Sequence, residues 1–233
     1  MNKSPEFDGP DVAALSLAAD GAECFPGAVN AVAVTELRGR LDKVLTGRPG
    51  RRLVGEAWRN VVAQGSALAR IACGFIGEAA HPVRVVAFDK TPETNWGLAW
   101  HQDRAIAVRE RIEVEGFGPW STKDGILHVA PPISLLADMI TLRLHLDDCG
   151  DDNAPLKVAL GSHQLGQVAA GEAADLASRH RELVCCAAAG DVWVYSTLIL
   201  HASDRAERPG RRRVLQVDYA ARDLPGGLEW LGI

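Results

Sequence analysis

His101 and Asp103 stand two residues apart in WGLAWHQDRAIAV (96–108), a segment that otherwise reads as an apolar strand. Strand side chains alternate, so residues two apart share a face. A neutral imidazole and a carboxylate projecting together are two-thirds of a 2-His-1-carboxylate site. That arrangement holds iron(II) on one side and leaves the opposite coordination positions open. The third ligand has to come from a distant strand. His201, which closes the apolar run VWVYSTLILH (192–201), is the candidate.

The chain beyond His201 supports a pocket. The turn-rich ASDRAERPG (202–210) leads into RRRVLQVDY (211–219), so the chain is expected to leave and return beside itself, bringing an arginine near His201. Alternation puts Arg212 with Val214, Gln216 and Asp218, and Arg211 and Arg213 with Leu215, Val217 and Tyr219. One face must therefore accept a guanidinium among barrel residues. A buried guanidinium needs an anion, and its planar fork suits a carboxylate. The anion is either a carboxylate-bearing cosubstrate or an internal acid such as Asp218. In TLRLHLDD (141–148), Leu142, Leu144 and Leu146 form an apolar face opposite Thr141, Arg143 and His145. Thr141 and Arg143 are expected to line a cavity.

The elements that must position these groups fall into two parts. TELRGRLDKVL (35–45) has helical spacing, with Thr35 as N-cap and Gly47 as stop. EAWRNVVAQGSALARIACGFIGE (56–78) repeats the pattern, divided at Gly65 with Ser66 capping the second half. After His81-Pro82 the period changes. Strands are expected at 83–88, 97–108, 139–146, 156–160, 182–188, 191–196, 198–203 and 212–220, punctuated by Gly, Pro, Asp and Asn. Many short strands without alternating helices argue for an antiparallel sandwich or barrel. Residues 109–138 are too long for a simple turn and read as a lid-like loop. Trp120, Lys123 and His128 there are useful substrate-contacting types. The whole chain, 1–233, is expected to be one domain, with a mostly helical part (1–80) packed on a β core (81–233).

Bulk properties narrow the function. A net charge of −5 with 24% charged residues offers no basic footprint for nucleic acid. No apolar run approaches the roughly 20 residues that span a bilayer, and MNKSPEFDGPD (1–11) has no apolar signal core. The expectation is a soluble cytoplasmic protein acting on a small molecule, with neither a nucleic-acid nor a membrane partner. No feature specifies an oligomeric state. Cys24, Cys73, Cys149, Cys185 and Cys186 lack zinc-type spacing and read as reduced thiols.

Taken together, WHQD (100–103), HLDDCGDDNAPLKVALGSHQLG (145–166), GDVWVYSTLILHAS (190–203) and RRVLQVDY (212–219) resemble the phytanoyl-CoA dioxygenase family of Fe(II)- and 2-oxoglutarate-dependent oxygenases. The family pattern Asn-Gly-Pro-Leu, then Pro-Gly-Ser-His, is changed here at Ala154 and Leu160, positions in a turn. The resemblance implies a mainly β protein with N-terminal helices and a double-stranded β-helix core, a jelly-roll, cupin-like fold. It implies His101, Asp103 and His201 as metal ligands. Arg212 matches the arginine that pairs with the far carboxylate of 2-oxoglutarate, with Ser203 assisting and Gln102 contacting the cosubstrate. Arg143 falls where relatives often carry tryptophan. Lys90 and Trp96, in KTPETNW (90–96), are placed against substrate or cosubstrate, and His163 in a structural turn. The implied reaction consumes 2-oxoglutarate and O2, releases succinate and CO2, and hydroxylates a small organic metabolite; desaturation or cyclisation would use the same chemistry. Two other readings fit the ligand set: a His2Asp zinc hydrolase, and a non-catalytic jelly-roll module that binds a small acid.

Overall fold

A computed structural model of the protein describes residues 14–45, 47 and 49–233. The N-terminal segment 1–11, read as lacking a signal core, lies outside the described residues. The helical part contains α1 (Leu17–Asp20), β1 (Ala22–Phe25), α2 (Ala31–Asp42), β2 (Gly50–Arg52), α3 (Glu56–Val62) and α4 (Ala67–Ile76). Then come β3 (His81–Lys90), β4 (Leu98–His101), β5 (Ile106–Ala107), β6 (Trp120–Lys123), β7 (Ile126–Val129), α5 (Ile133–Ala137), β8 (Ile140–His145) and β9 (Leu156–Ala159). The chain ends with α6 (Ala173–Ser178), β10 (Glu182–Cys185), β11 (Val192–Ser196), β12 (His201–Ser203) and β13 (Arg212–Ala220).

The strands form a six-stranded sheet in the order β1-β11-β8-β13-β3-β2, a four-stranded sheet β10-β9-β12-β4, and a small sheet β5-β7-β6. Neighbours in the two large sheets pair antiparallel. This is a double-stranded β-helix with α2, α3 and α4 on the outer face of the larger sheet and α6 against β4 of the smaller one. Alternation explains the layering. Leu142 and Leu144 of β8, Leu215, Val217 and Tyr219 of β13, and Val85 and Ala87 of β3 pack against Leu37, Leu41, Val62 and Leu68 of the helices. The opposite parity, Arg143, Arg212, Gln216, Arg84, Phe88 and their neighbours, turns inward. Leu156, Val158 and Leu183 of the smaller sheet meet Trp193 and Tyr195 of the larger in a second core.

The helix divided at Gly65, whose φ is +90°, is as expected, and the Ser66 hydroxyl accepts from Ala69 N at 3.0 Å. The first helix differs. It begins four residues before Thr35, where the Asn30 side chain accepts from Ala33 N at 3.0 Å. Thr35 lies inside it and donates to the Ala31 carbonyl at 2.8 Å. The Ala-Val alternation of residues 31–34, which has the period of a strand, hid this first turn.

Three strand expectations also need correction. The strand from 97 stops at His101, and residues 102–105 are irregular. Thr197–Leu200 is a turn, with Ile199 N bonded to Ser196 O at 3.0 Å, so β12 is only three residues long. Finally, β12 and β13 are not a hairpin: β12 pairs with β4 and β9, whereas β13 pairs with β8 and β3. Arg212 reaches the His201 cavity from the other sheet. The long segment 109–138 is not an open loop either; it carries the β6–β7 hairpin and α5. All five cysteines are free thiols. Among the described residues no helix is long and apolar enough to cross a membrane.

Candidate metal centre and cosubstrate pocket

Pairing of β12 with β4 sets His201 directly opposite His101, with the rings 4.2 Å apart between centroids. Each Nδ1 faces a carbonyl two residues earlier: Ala99 O at 2.8 Å for His101, and Ile199 O at 2.9 Å for His201. A carbonyl only accepts, so each Nδ1 carries the proton and each Nε2 keeps a lone pair for a metal. Asp103, just beyond the end of β4, brings its carboxylate to them, and one donor atom from each of the three residues lies within 4.8 Å of the others. Burial pulls the His201 pKa down to about 4 against the attraction of Asp103, which keeps the ring neutral. Burial alone would raise the Asp103 carboxyl. Arg84, His201 and His101 outweigh it and hold the carboxyl below its ordinary value.

The trio opens into a cavity of about 270 Å³ between the two large sheets. Arg212 and Arg143 line it, and Lys90 stands behind Ser203. Arg212, only 2% exposed, has Nε and Nη1 without a partner among the described residues. Burial and the nearby Arg143 push its pKa down to about 10. Arg143, on the inward face of β8, donates to Gln216 Oε1 at 2.8 Å and stacks 5.4 Å from the Phe88 ring, yet its Nε is also unpartnered among these residues. Lys90, opposite Arg212 in the β3–β13 register, donates to Ser203 Oγ at 3.2 Å and Asp204 O at 2.9 Å and lies 4.8 Å over Trp96. Burial, Arg212 and Arg143 hold its pKa down to about 8.

The structure thus brings His101, Asp103, His201, Arg212, Arg143 and Ser203 to one cavity, with Trp96 on its wall and Lys90 hydrogen-bonded to Ser203. The Ser203 hydroxyl proton is committed to Ala154 O at 3.1 Å, so this side chain faces Lys90 as an acceptor. Other expected residues do different work. Gln102 does not face the cavity: its amide donates to Gly166 O and Leu198 O, and its oxygen accepts from Val168 N, because it sits where β4 has already ended. Thr141 is inward but deeper, donating to Asp218 Oδ1 at 3.1 Å. Trp120 packs among Ile106, Phe117 and Val129 beneath the hairpin. His128 is buried there with Nδ1 on Ile126 O. Lys123 is outside the cavity wall, although its charge is felt at Asp103. His163 sits in a 3-10 turn, as expected, with Nε2 at 3.3 Å from Ala18 O.

Arg84, Gln216 and Phe88 also line the site, although residue type alone does not mark them as site residues. Their signal is strand parity: Arg84 and Phe88 alternate with the apolar Val85 and Ala87 of β3, as Gln216 does with Leu215 and Val217.

Two imidazoles with free Nε2 atoms, one carboxylate and two guanidinium groups with unpartnered N–H bonds fit a divalent metal together with a dicarboxylic acid. A double-stranded β-helix built around such a site is the fold of the iron- and 2-oxoglutarate-dependent oxygenases. Residues 17–214 match the model of one family within that class, phytanoyl-CoA dioxygenase (PhyH), and the chain belongs to that family. No curated protein matches the sequence. Among solved structures, EctD from S. alaskensis is similar over 93% of this chain and 79% of its own, at 16% identity and a TM-score of 0.66. The 2-oxoglutarate-dependent carbocyclase SnoK from nogalamycin biosynthesis matches 92% of this chain and 87% of its own, at 14% identity and a TM-score of 0.65. HygX from Streptomyces hygroscopicus, solved with nickel and 2-oxoglutarate bound, matches 88% and 84%, at 17% identity and a TM-score of 0.60.

Proposed function

We propose that this protein is an Fe(II)- and 2-oxoglutarate-dependent dioxygenase that hydroxylates a small organic metabolite. The observation that carries the reading is the convergence of His101, Asp103 and His201 beside Arg212, whose Nε and Nη1 have no partner among the described residues. A zinc hydrolase or a bare acid-binding module would use one half of this arrangement and leave the other without purpose.

In this reading His101 and His201 present Nε2, and Asp103 presents a carboxylate oxygen, to iron(II). Bound iron, with 2-oxoglutarate and O2, supplies oxidative decarboxylation to succinate and CO2 and the oxidising power to attack a C–H bond. Arg212 takes the far carboxylate of 2-oxoglutarate through its fork, an interaction that both fixes orientation and neutralises the buried charge. Lys90, held by Ser203, stands beside it with an N–H still to donate. Arg143, braced by Gln216, adds a second guanidinium to the cosubstrate end. Phe88 and Leu156 wall the cavity with apolar surface that excludes water. Trp96 and the half-exposed Leu98 stand at the metabolite's side of the pocket, with Lys123 as a charged outer contact.

Asp103 favours hydroxylation, because a small residue in its place would leave room for a halide. Carbocyclisation is the second reading: SnoK is described as a carbocyclase, and the same hydrogen abstraction serves both outcomes. The test is anaerobic reconstitution with iron(II), titration with 2-oxoglutarate, and then admission of O2. Saturable 2-oxoglutarate binding followed by metal-dependent succinate formation is expected. Protein that takes up neither iron nor 2-oxoglutarate would sink the reading.

A further inference from the structure

We propose that Arg84 is a positioning residue that clamps one oxygen of Asp103 and so keeps that carboxylate a single-point metal ligand. The proposal rests on the iron-site reading above and concerns a residue that takes no part in the ligand set. Arg84 lies on the inward face of β3, opposite Asp218 of β13. Its Nε is 2.6 Å from Asp218 Oδ2, and its Nη2 is 3.5 Å from Asp103 Oδ2. Asp218 is itself fixed from the other side, where Thr141 Oγ1 donates to its Oδ1 at 3.1 Å. A run of contacts therefore leads from Thr141 on β8 through Asp218 on β13 and Arg84 on β3 to Asp103.

The bland alternative is that Arg84 and Asp218 form a buried ion pair that merely neutralises itself. Geometry argues for more. Asp218 alone satisfies the charge of Arg84, yet the second arm of the guanidinium extends beyond it to the one ligand that no regular strand holds. Asp103 follows the end of β4, so its backbone lacks the ladder that fixes His101 and His201. A carboxylate there can swing or bond a metal through both oxygens. Gripping Oδ2 leaves Oδ1 for the metal. A three-point ligand set then keeps free the positions that a chelating 2-oxo acid and O2 require. Outer partners of this kind typically change metal affinity 10–100-fold when lost.

The test uses the full chain stripped of metal and titrated with cobalt(II), read by its visible absorption, together with thermal melting of each protein. Arg84→Gln is expected to weaken cobalt binding by about 10–100-fold. Arg84→Lys, which reaches one carboxylate at a time, should give an intermediate value and serves if the glutamine variant does not fold. Val85→Ala, on the helix-facing side of the same strand, should lower the melting temperature and leave cobalt affinity at the wild-type value. Affinity within twofold of wild type in either Arg84 variant overturns the proposal while leaving the iron-site reading intact. Wild-type protein that binds no cobalt overturns both.

Discussion

Arg212 illustrates the conflict between function and stability at a single residue. Its guanidinium is buried on β13, and two of its nitrogens find no partner among the described residues. An unpaired buried charge is costly, and apolar replacement of buried ionic groups is often stabilising. Arg212→Met is therefore expected to raise the stability of the ligand-free protein, by on the order of 1–3 kcal/mol. The same change should weaken 2-oxoglutarate binding by roughly a hundredfold or more, as expected when one member of a buried charged pair is truncated. Chemical denaturation and calorimetric titration of the same preparation check the two signs together. His145 presents a second case. It is fully buried on β8 with neither ring nitrogen bonded among the described residues, and burial, Arg143 and Arg212 hold its pKa well below the ordinary 6.5. The unfolded chain takes up a proton below pH 6.5 that the folded chain refuses. His145 thus contributes stability that is present above 6.5 and declines as pH falls toward the depressed folded value, by up to about 1.4 kcal/mol per pH unit. His145→Leu should melt with wild-type protein at pH 7.5 or above it, and gain on it steadily between pH 6.5 and 5.5. Parallel melting temperatures across that range would refute the assignment.

Elements show which features of the sequence can be read and which cannot. The two faces of β8 and β13 are legible because polar and apolar residues alternate strictly through Thr141–His145 and Leu215–Tyr219, a pattern only a strand with a wet side and a dry side explains. The ends of β4 and β12 are not. Apolar runs such as Leu198–Leu200 are equally at home in a buried turn, and nothing in Trp100–Ala105 announces that pairing stops at His101. The β6–β7 hairpin does carry a signal. Asp124-Gly125, both with positive φ, is the two-residue turn that matches the twist of paired strands, but the surrounding Gly and Pro residues mask it. Arg84 is hidden for another reason: one arginine in an apolar strand reads as a solvent-facing residue. Glycines make the local demands testable. Gly190, between β10 and β11, has φ +101°, and a Cβ there would lie 2.4 Å from Val29 O. Gly39, mid-helix in α2, has open space around the same position. Gly190→Ala should cost about 2–3 kcal/mol, while Gly39→Ala should add up to about 1 kcal/mol. Urea unfolding of the pair checks the opposite signs.

At the scale of the whole molecule, the six-stranded sheet separates two environments. Its outer face is sealed by α2, α3 and α4, and its inner face holds the charged groups of the site. Those groups come from β3, the end of β4, β8, β12 and β13, so they converge only when both large sheets are assembled. Metal and cosubstrate consequently bind the folded chain and not the unfolded one, and each stabilises by mass action. A ligand at 100 times its dissociation constant adds about 2.7 kcal/mol, which for a chain of 233 residues corresponds to a rise in melting temperature on the order of 5–10 °C. In the proposed reading 2-oxoglutarate would span the metal and Arg212, so its binding should depend on the metal. The shift with both ligands is expected to exceed the sum of the separate shifts. His201→Ala should abolish the metal-induced shift and most of the cosubstrate shift, whereas Arg212→Met should remove only the latter. Melting curves with iron(II) or manganese(II), 2-oxoglutarate, both and a chelator distinguish these outcomes. Equal shifts from 2-oxoglutarate with and without metal would show that the two groups do not share one pocket.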